Sequence, residues 1–148
     1  MIELKNINGG YGKKQVLFDI NTIMHENEIT SIIGPNGCGK STLLEISSGL
    51  MKPYEGVVVA DGVNIHEMNA KDRAKKISVL SQQKNPGALT VRALVYHGRF
   101  PYLGYPRKYR DEDRKIVDEA MRTAGIYDLA DESLSELSGG QQQKAYIA

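Results

Sequence analysis

Gly34-Pro35-Asn36-Gly37-Cys38-Gly39-Lys40-Ser41-Thr42 is the stretch on which the fold class turns. It matches G-x-x-x-x-G-K-[ST], the phosphate-loop (Walker A) pattern. Glycines reach backbone conformations closed to other residues, so successive N–H groups can turn inward around a phosphate. A helix behind the loop aims the positive end of its dipole at the same anion. Lys40 brings a full charge to the β- and γ-phosphates, and the Ser41 hydroxyl is placed to ligate Mg²⁺. Four fixed positions arise by chance in about one chain of this size in two hundred. The context narrows that further: a β-rich run, Ile29 to Ile33, precedes the loop, and Leu43, Ile46 and Leu50 follow at helical spacing. Strand, loop and helix in this order predict that Gly34, Asn36, Gly37, Cys38, Gly39, Lys40, Ser41 and Thr42 hold the phosphates of ATP.

On either side of the loop the N-terminal part reads as strands. Ile2 and Leu4 alternate with Glu3 and Lys5, and Val16, Phe18 and Ile20 alternate with Asp19 and Asn21, the period of half-buried strands. Val57 to Ala60 and Val63 to Ile65 flank Asp61-Gly62, a tight-turn pair that predicts a hairpin. Helical signals dominate later. The first helix should end between Gly49 and Pro53, and Thr90 can cap a helix running to about Gly98. Asp111 can cap the longest one, whose apolar face is Ile116, Val117, Ala120, Met121 and Ala124, with Gly125 closing its end. Ile77 to Leu80 reads as a second buried strand, and residues 100–110, rich in Tyr, Pro, Gly and Arg, read as an ordered surface loop.

Composition excludes several classes of function. A length of 148 residues suits one domain, and 41% hydrophobic with 25% charged residues is ordinary for a globular protein. A net charge of +1 gives no strong electrostatic pull toward nucleic acid or anionic lipid. The apolar runs are too short to span a bilayer, and Met1 to Lys5 has no signal-peptide character. Cys38 is the only cysteine, which precludes an internal disulfide and fits a reducing cytoplasm. His25, His66 and His97 lie far apart, without metal-ligand spacing.

A second motif, Leu137-Ser138-Gly139-Gly140-Gln141, is followed by Gln142-Gln143-Lys144-Ala145. Taken alone, it reads as a serine N-cap with glycines opening a helix. Its five fixed residues also resemble the signature of the ABC ATPase family, and the two motifs stand in that family's order. The resemblance implies roles for further residues. Tyr11, in Gly10-Tyr11-Gly12, looks like the aromatic that stacks on adenine. Gln82, after Ile77 to Ser81, looks like the glutamine that reaches Mg²⁺ and the attacking water, with Gln83 adjacent to it. Ser138, Gly139, Gly140 and Gln141 would contact a nucleotide bound to a partner domain, with Ser138 and the Gly140 N–H holding its γ-phosphate. Lys40, Gln82 and Ser138 are the catalytic residues so implied, and Ser41 and Gln82 the metal ligands.

The implied fold is α/β: a P-loop core with a partial parallel sheet, an antiparallel β subdomain (1–33 and 54–66) and a helical subdomain (84–135). Residues 34–53 would carry Walker A and its helix, 77–83 the strand leading to Gln82, and 136–148 the signature. The implied partners are membrane permease subunits and a second, head-to-tail copy of the intact domain, with a substrate-binding protein engaged indirectly. That places the protein on the cytoplasmic face of the cell membrane. Thr90-Val91-Arg92-Ala93-Leu94-Val95, then Gly98-Arg99-Phe100-Pro101-Tyr102, is similar to importers of ferric siderophores, haem or cobalamin. The alternatives are a non-catalytic nucleotide-binding module and a cytosolic ABC ATPase of translation or repair.

The family pattern runs on past Ala148 with the Walker B aspartate, a catalytic glutamate and a switch histidine, so the chain is expected to be the N-terminal portion of a longer ATPase. Asp128, Asp131, Glu132 and Glu136 precede the signature and follow no apolar strand. Water attack on the γ-phosphate needs a metal held from two sides and an oriented water. Residues 1–148 should therefore bind ATP yet release phosphate no faster than a Lys40→Ala control. A Mg²⁺-dependent release that the substitution removes would contradict this.

Overall fold

The computed structural model describes residues 1–81 and 88–148, which form two compact units, Met1–Ser78 and Val79–Ala148. The first unit holds a four-stranded antiparallel sheet in the order β2-β1-β3-β4. Its strands are β1 (Ile2–Tyr11), β2 (Lys14–Met24), β3 (Glu55–Ala60) and β4 (Val63–Asn64). Asp61 and Gly62 both take positive φ, 49° and 79°, which a two-residue type I′ turn requires, so the expected hairpin forms there.

One face of this sheet carries helix α1 (Lys40–Ser47), and Leu4, Ile7, Leu17, Ile46, Val58, Ala60 and Ile65 make the core between them. Ile46 has no exposed surface, and a Cβ on Gly9 would lie 2.4 Å from its Cδ1. The bare backbone of β1 at Gly9 is thus the seat of the helix. Helix α2 (Ala70–Lys76) has no counterpart in the sequence reading; Asn69 caps it, accepting from the Asp72 N–H at 2.9 Å.

Three strand expectations need correction. In β2 the inward residue is Leu17, while Phe18 is 65% exposed. The β1–β2 register shifts at several places and Asp19 sits at φ 47°, so strict alternation fails there. The Ile29 to Ile33 run is not a strand, and Ile29 and Ile33 are almost fully exposed. Ile77 to Leu80 is likewise outside any strand, with Val79 and Leu80 about half exposed. A parallel strand exists only if a neighbour takes up its N–H and C=O groups, and no described residue pairs with either segment.

The second unit is helical. Helix α3 (Val91–His97) begins at Thr90, whose hydroxyl accepts from the Ala93 N–H at 3.2 Å, as expected. Helix α4 (Asp111–Thr123) and helix α5 (Gly139–Ile147) follow, with single 3₁₀ turns at Phe100–Tyr102, Tyr127–Leu129 and Leu134–Glu136. Val91, Val95, Val117, Met121, Ile126, Leu134 and Ala145 form the core. Gly125 closes α4 at φ 65°.

The α4 N-cap is Arg110 rather than Asp111, and the reaching residue is Asp113. Its carboxylate accepts from the Arg110 N–H at 3.0 Å and from Arg99 Nε at 2.9 Å. These two bonds, the backbone one first, hold the Asp113 carboxyl below the ordinary aspartate range. A depressed folded-state pKa contributes stability above the unfolded pKa and loses it as pH falls through the folded one. Asp113→Asn should therefore lower the urea midpoint at pH 7. The gap to the parent should shrink as pH drops below about 4. A gap of constant size between pH 7 and pH 3 would show that the carboxylate charge plays no part.

Candidate nucleotide-binding site

The phosphate loop leaves the exposed Ile29 to Ile33 segment and turns into α1. Gly37 and Gly39 stand at φ 80° and 99°, a region that side chains rarely enter. Gly39 is the N-cap of α1, and its carbonyl accepts from the Leu43 N–H at 2.9 Å. A Cβ at Gly39 would also stand 2.9 Å from Val16 and Leu17 methyl carbons, so the loop is drawn tight against β2. Within the loop, the Cys38 N–H turns back to the Pro35 carbonyl at 3.4 Å.

Lys40 is held by this loop rather than extended from it. Its Nζ donates to the Gly34 carbonyl at 2.9 Å and to the Pro35 carbonyl at 2.7 Å, and lies 3.9 Å from Cys38 Sγ. An ammonium has three donors. Two are spent on fixing the side chain, and the third faces the thiol side of the loop. The first turn of α1 carries no acidic residue, so nothing opposes the field at its N-terminus. Asn36, Gly37, Cys38 and Ser41 are exposed, whereas Thr42 is 3% exposed and lies on the packed side of the helix.

Tyr11 ends β1 in the same unit, with 52% of its surface exposed. Its hydroxyl donates to Glu45 Oε2 at 2.9 Å, one helical turn beyond Ser41. Glu45 was not a candidate in the sequence, where a lone acid on a helix carries no signal. Gln82 and Gln83 lie outside the described residues.

The signature sits in the second unit. Ser138 caps α5: its Oγ accepts from the Gln141 N–H at 3.4 Å, and Gln141 Oε1 accepts from the Ser138 N–H at 2.9 Å. This reciprocal pair is a capping box with glutamine at the third helical position. Gln142 Nε2 donates to the carbonyls of Leu134 and Leu137 at 2.9 and 3.1 Å, tying the helix to the turn before it. Gly139 and Gly140 are exposed, with open space where a Cβ would stand. Of the acids before the signature, Asp131 accepts from Arg92 at 3.2 Å, a surface pairing.

A glycine-rich loop of the phosphate-loop pattern running into a helix, with a signature helix in a separate helical unit, is the arrangement of the nucleotide-binding cassettes. The ABC transporter family model matches residues 17–148, and the chain belongs to that family. It is 41% identical over 140 residues to the iron(3+)-hydroxamate import ATP-binding protein FhuC of Bacillus subtilis, and 45% identical over 140 residues to the ferric enterobactin transport ATP-binding protein FepC of Escherichia coli. In each case the match covers 94% of this chain and 52% of the relative, so the chain spans about half the length of the curated relatives it matches. Among solved structures, a dimeric bacterial ABC transporter cassette superposes with a TM-score of 0.81 at 34% identity, covering 99% of this chain and 67% of that one. A post-hydrolysis cassette dimer bound to ADP and Pi superposes at 0.76 with 30% identity, covering 99% and 67%. The chain therefore has the α/β fold of an ABC ATPase cassette, a nucleotide-binding domain.

Cys38 offers a direct test of the loop. It is exposed, and its sulfur lies 3.9 Å from the Lys40 ammonium. A maleimide adduct there should fill the loop and stop nucleotide binding, and bound ATP should slow the labelling. Full modification with unchanged affinity would place the phosphates elsewhere.

Proposed function

We propose that this chain is the ATP-binding part of an ABC importer that couples ATP binding and hydrolysis to uptake of a metal chelate of the ferric siderophore, haem or cobalamin class. The observation that carries the reading is the phosphate loop with Lys40 already locked over it. The relatives named for iron(3+)-hydroxamate and ferric enterobactin transport support the substrate class.

In this reading Lys40 keeps its two bonds to Gly34 and Pro35 and turns the donor that now faces Cys38 Sγ toward the β- and γ-phosphates, so most of its position is fixed before ATP arrives. The backbone N–H groups of Gly37, Cys38, Gly39, Lys40, Ser41 and Thr42 surround the phosphates, with Gly34 and Asn36 shaping the loop. Ser41, exposed at the start of α1, would hold Mg²⁺ together with Gln82, a hydroxyl and an amide oxygen suited to a hard cation. When bound, the ion would neutralise charge on the phosphate oxygens. Tyr11 stacks on adenine. A second copy joins head to tail, and its Ser138, Gly139, Gly140 and Gln141 complete the γ-phosphate contacts at the start of α5. Among the described residues no helix is long and apolar enough to cross a membrane. The proposed site of action is the cytoplasmic face, against permease subunits.

Lys40→Ala removes the charged donor of the loop and should weaken ATP binding by about 10- to 100-fold in a fluorescent-nucleotide titration. Introduced into the full gene, it should abolish growth on a ferric chelate as the only iron source. Equal affinity would sink the site. Normal growth on each chelate, with affinity lost, would sink the importer reading alone.

A further inference from the structure

The turn that carries Tyr11 is held from two directions by residues that stand outside every motif. Tyr11 pairs with Lys14 across Gly12-Lys13, and Gly12 takes φ 59° in this two-residue turn. From one side Glu45 accepts the Tyr11 hydroxyl at 2.9 Å. From the other, the Tyr54 hydroxyl donates to the Gly12 carbonyl at 2.9 Å, while the Tyr54 N–H donates to the Asn8 carbonyl at 2.7 Å. The Tyr54 side chain therefore runs alongside the end of β1 and braces its turn. Glu45 can reach Tyr11 because its neighbour Ile46 is seated on β1 at Gly9, two residues before the tyrosine.

We propose that Glu45 and Tyr54 are positioning residues for base recognition, holding the Tyr11 ring in the orientation in which it meets the nucleotide base. The proposal rests on the reading of Tyr11 as the adenine platform. A tyrosine has two side-chain torsions, and its face is useful to a base only in one orientation. The Glu45 bond at one end and the braced backbone at the other fix that orientation before the ligand arrives. About half of the Tyr11 surface stays exposed, so the clamp holds the ring by its hydroxyl and leaves area for stacking. The phosphate loop owes nothing to either contact: Lys40 bonds Gly34 and Pro35, and Gly39 packs on Val16 and Leu17. The clamp therefore acts on the base end of the nucleotide only.

The affinities of ATP and of inorganic tripolyphosphate separate these effects in the full 148-residue chain. Restoring disorder to one side chain should cost about 2- to 12-fold in ATP affinity. Glu45→Ala and Tyr54→Phe should each lose that much for ATP and nothing for tripolyphosphate, and Glu45→Gln, which keeps an acceptor, should recover the parent value. Tyr11→Phe breaks the same bond from the other end, so Tyr11→Phe with Glu45→Ala should lose no more than either alone. Equal or tighter ATP binding by Glu45→Ala and Tyr54→Phe overturns the clamp. So does additive loss in the double variant, or an equal loss for tripolyphosphate. Tyr11→Ala tests the underlying reading separately. If it weakens ATP about tenfold or more while the Glu45 and Tyr54 variants do not, stacking stands and the clamp falls. If it leaves ATP affinity intact, the adenine reading itself falls.

Discussion

The seating of Ile46 on the bare backbone of Gly9 is the contact on which the nucleotide-binding unit depends. Any side chain at Gly9 would meet the buried isoleucine, so the strand and the helix are spaced by the absence of one Cβ. That spacing sets the axis of α1 and with it the direction in which its N-terminus points. At the start of the same helix Gly39 lies against Val16 and Leu17. Lys40 then completes the loop by bonding its carbonyls. A charge held this way pays little ordering entropy when an anion arrives, the general advantage of a preformed site.

The helical unit solves a different problem. Its helices are short, so their unpaired terminal N–H groups are a large share of the backbone. Thr90, Asp113 and Ser138 each satisfy one. The last of these lies in the signature motif, so the bland and the functional readings of Ser138 are both available to the same atoms. A serine that caps through Oγ retains one lone pair and its own proton for another partner, and the exposed Gly139 and Gly140 leave approach to it open. The cap therefore leaves Ser138 able to make a further contact while it holds the start of α5.

How much could be read beforehand follows from the range of the interactions involved. The phosphate loop, the Asp61-Gly62 hairpin, the Thr90 cap and the Gly125 stop are set by residues within a few positions of one another, and all were legible. The Leu17 and Phe18 orientations were not, because register shifts against β1 override the local alternation. The Ile29 to Ile33 and Ile77 to Leu80 runs have the composition of buried strands, yet composition cannot supply a neighbouring ladder. Arg110 displaced Asp111 as the α4 cap because Asp113, two residues further on, was the better placed acceptor.

By itself the sequence determined the family of this protein, through a nine-residue glycine-rich loop that runs into a helix and a signature that opens another. Those are local codes, carried by backbone freedom, charge and hydrogen-bonding groups at fixed spacing. Only the tertiary structure decided which residues stand behind the site. Glu45 comes to Tyr11 across 34 residues of chain and Tyr54 to Gly12 across 42, and no local pattern marks either one. Their placement follows from how a helix packs on a strand, a property of the folded surfaces and not of any one segment.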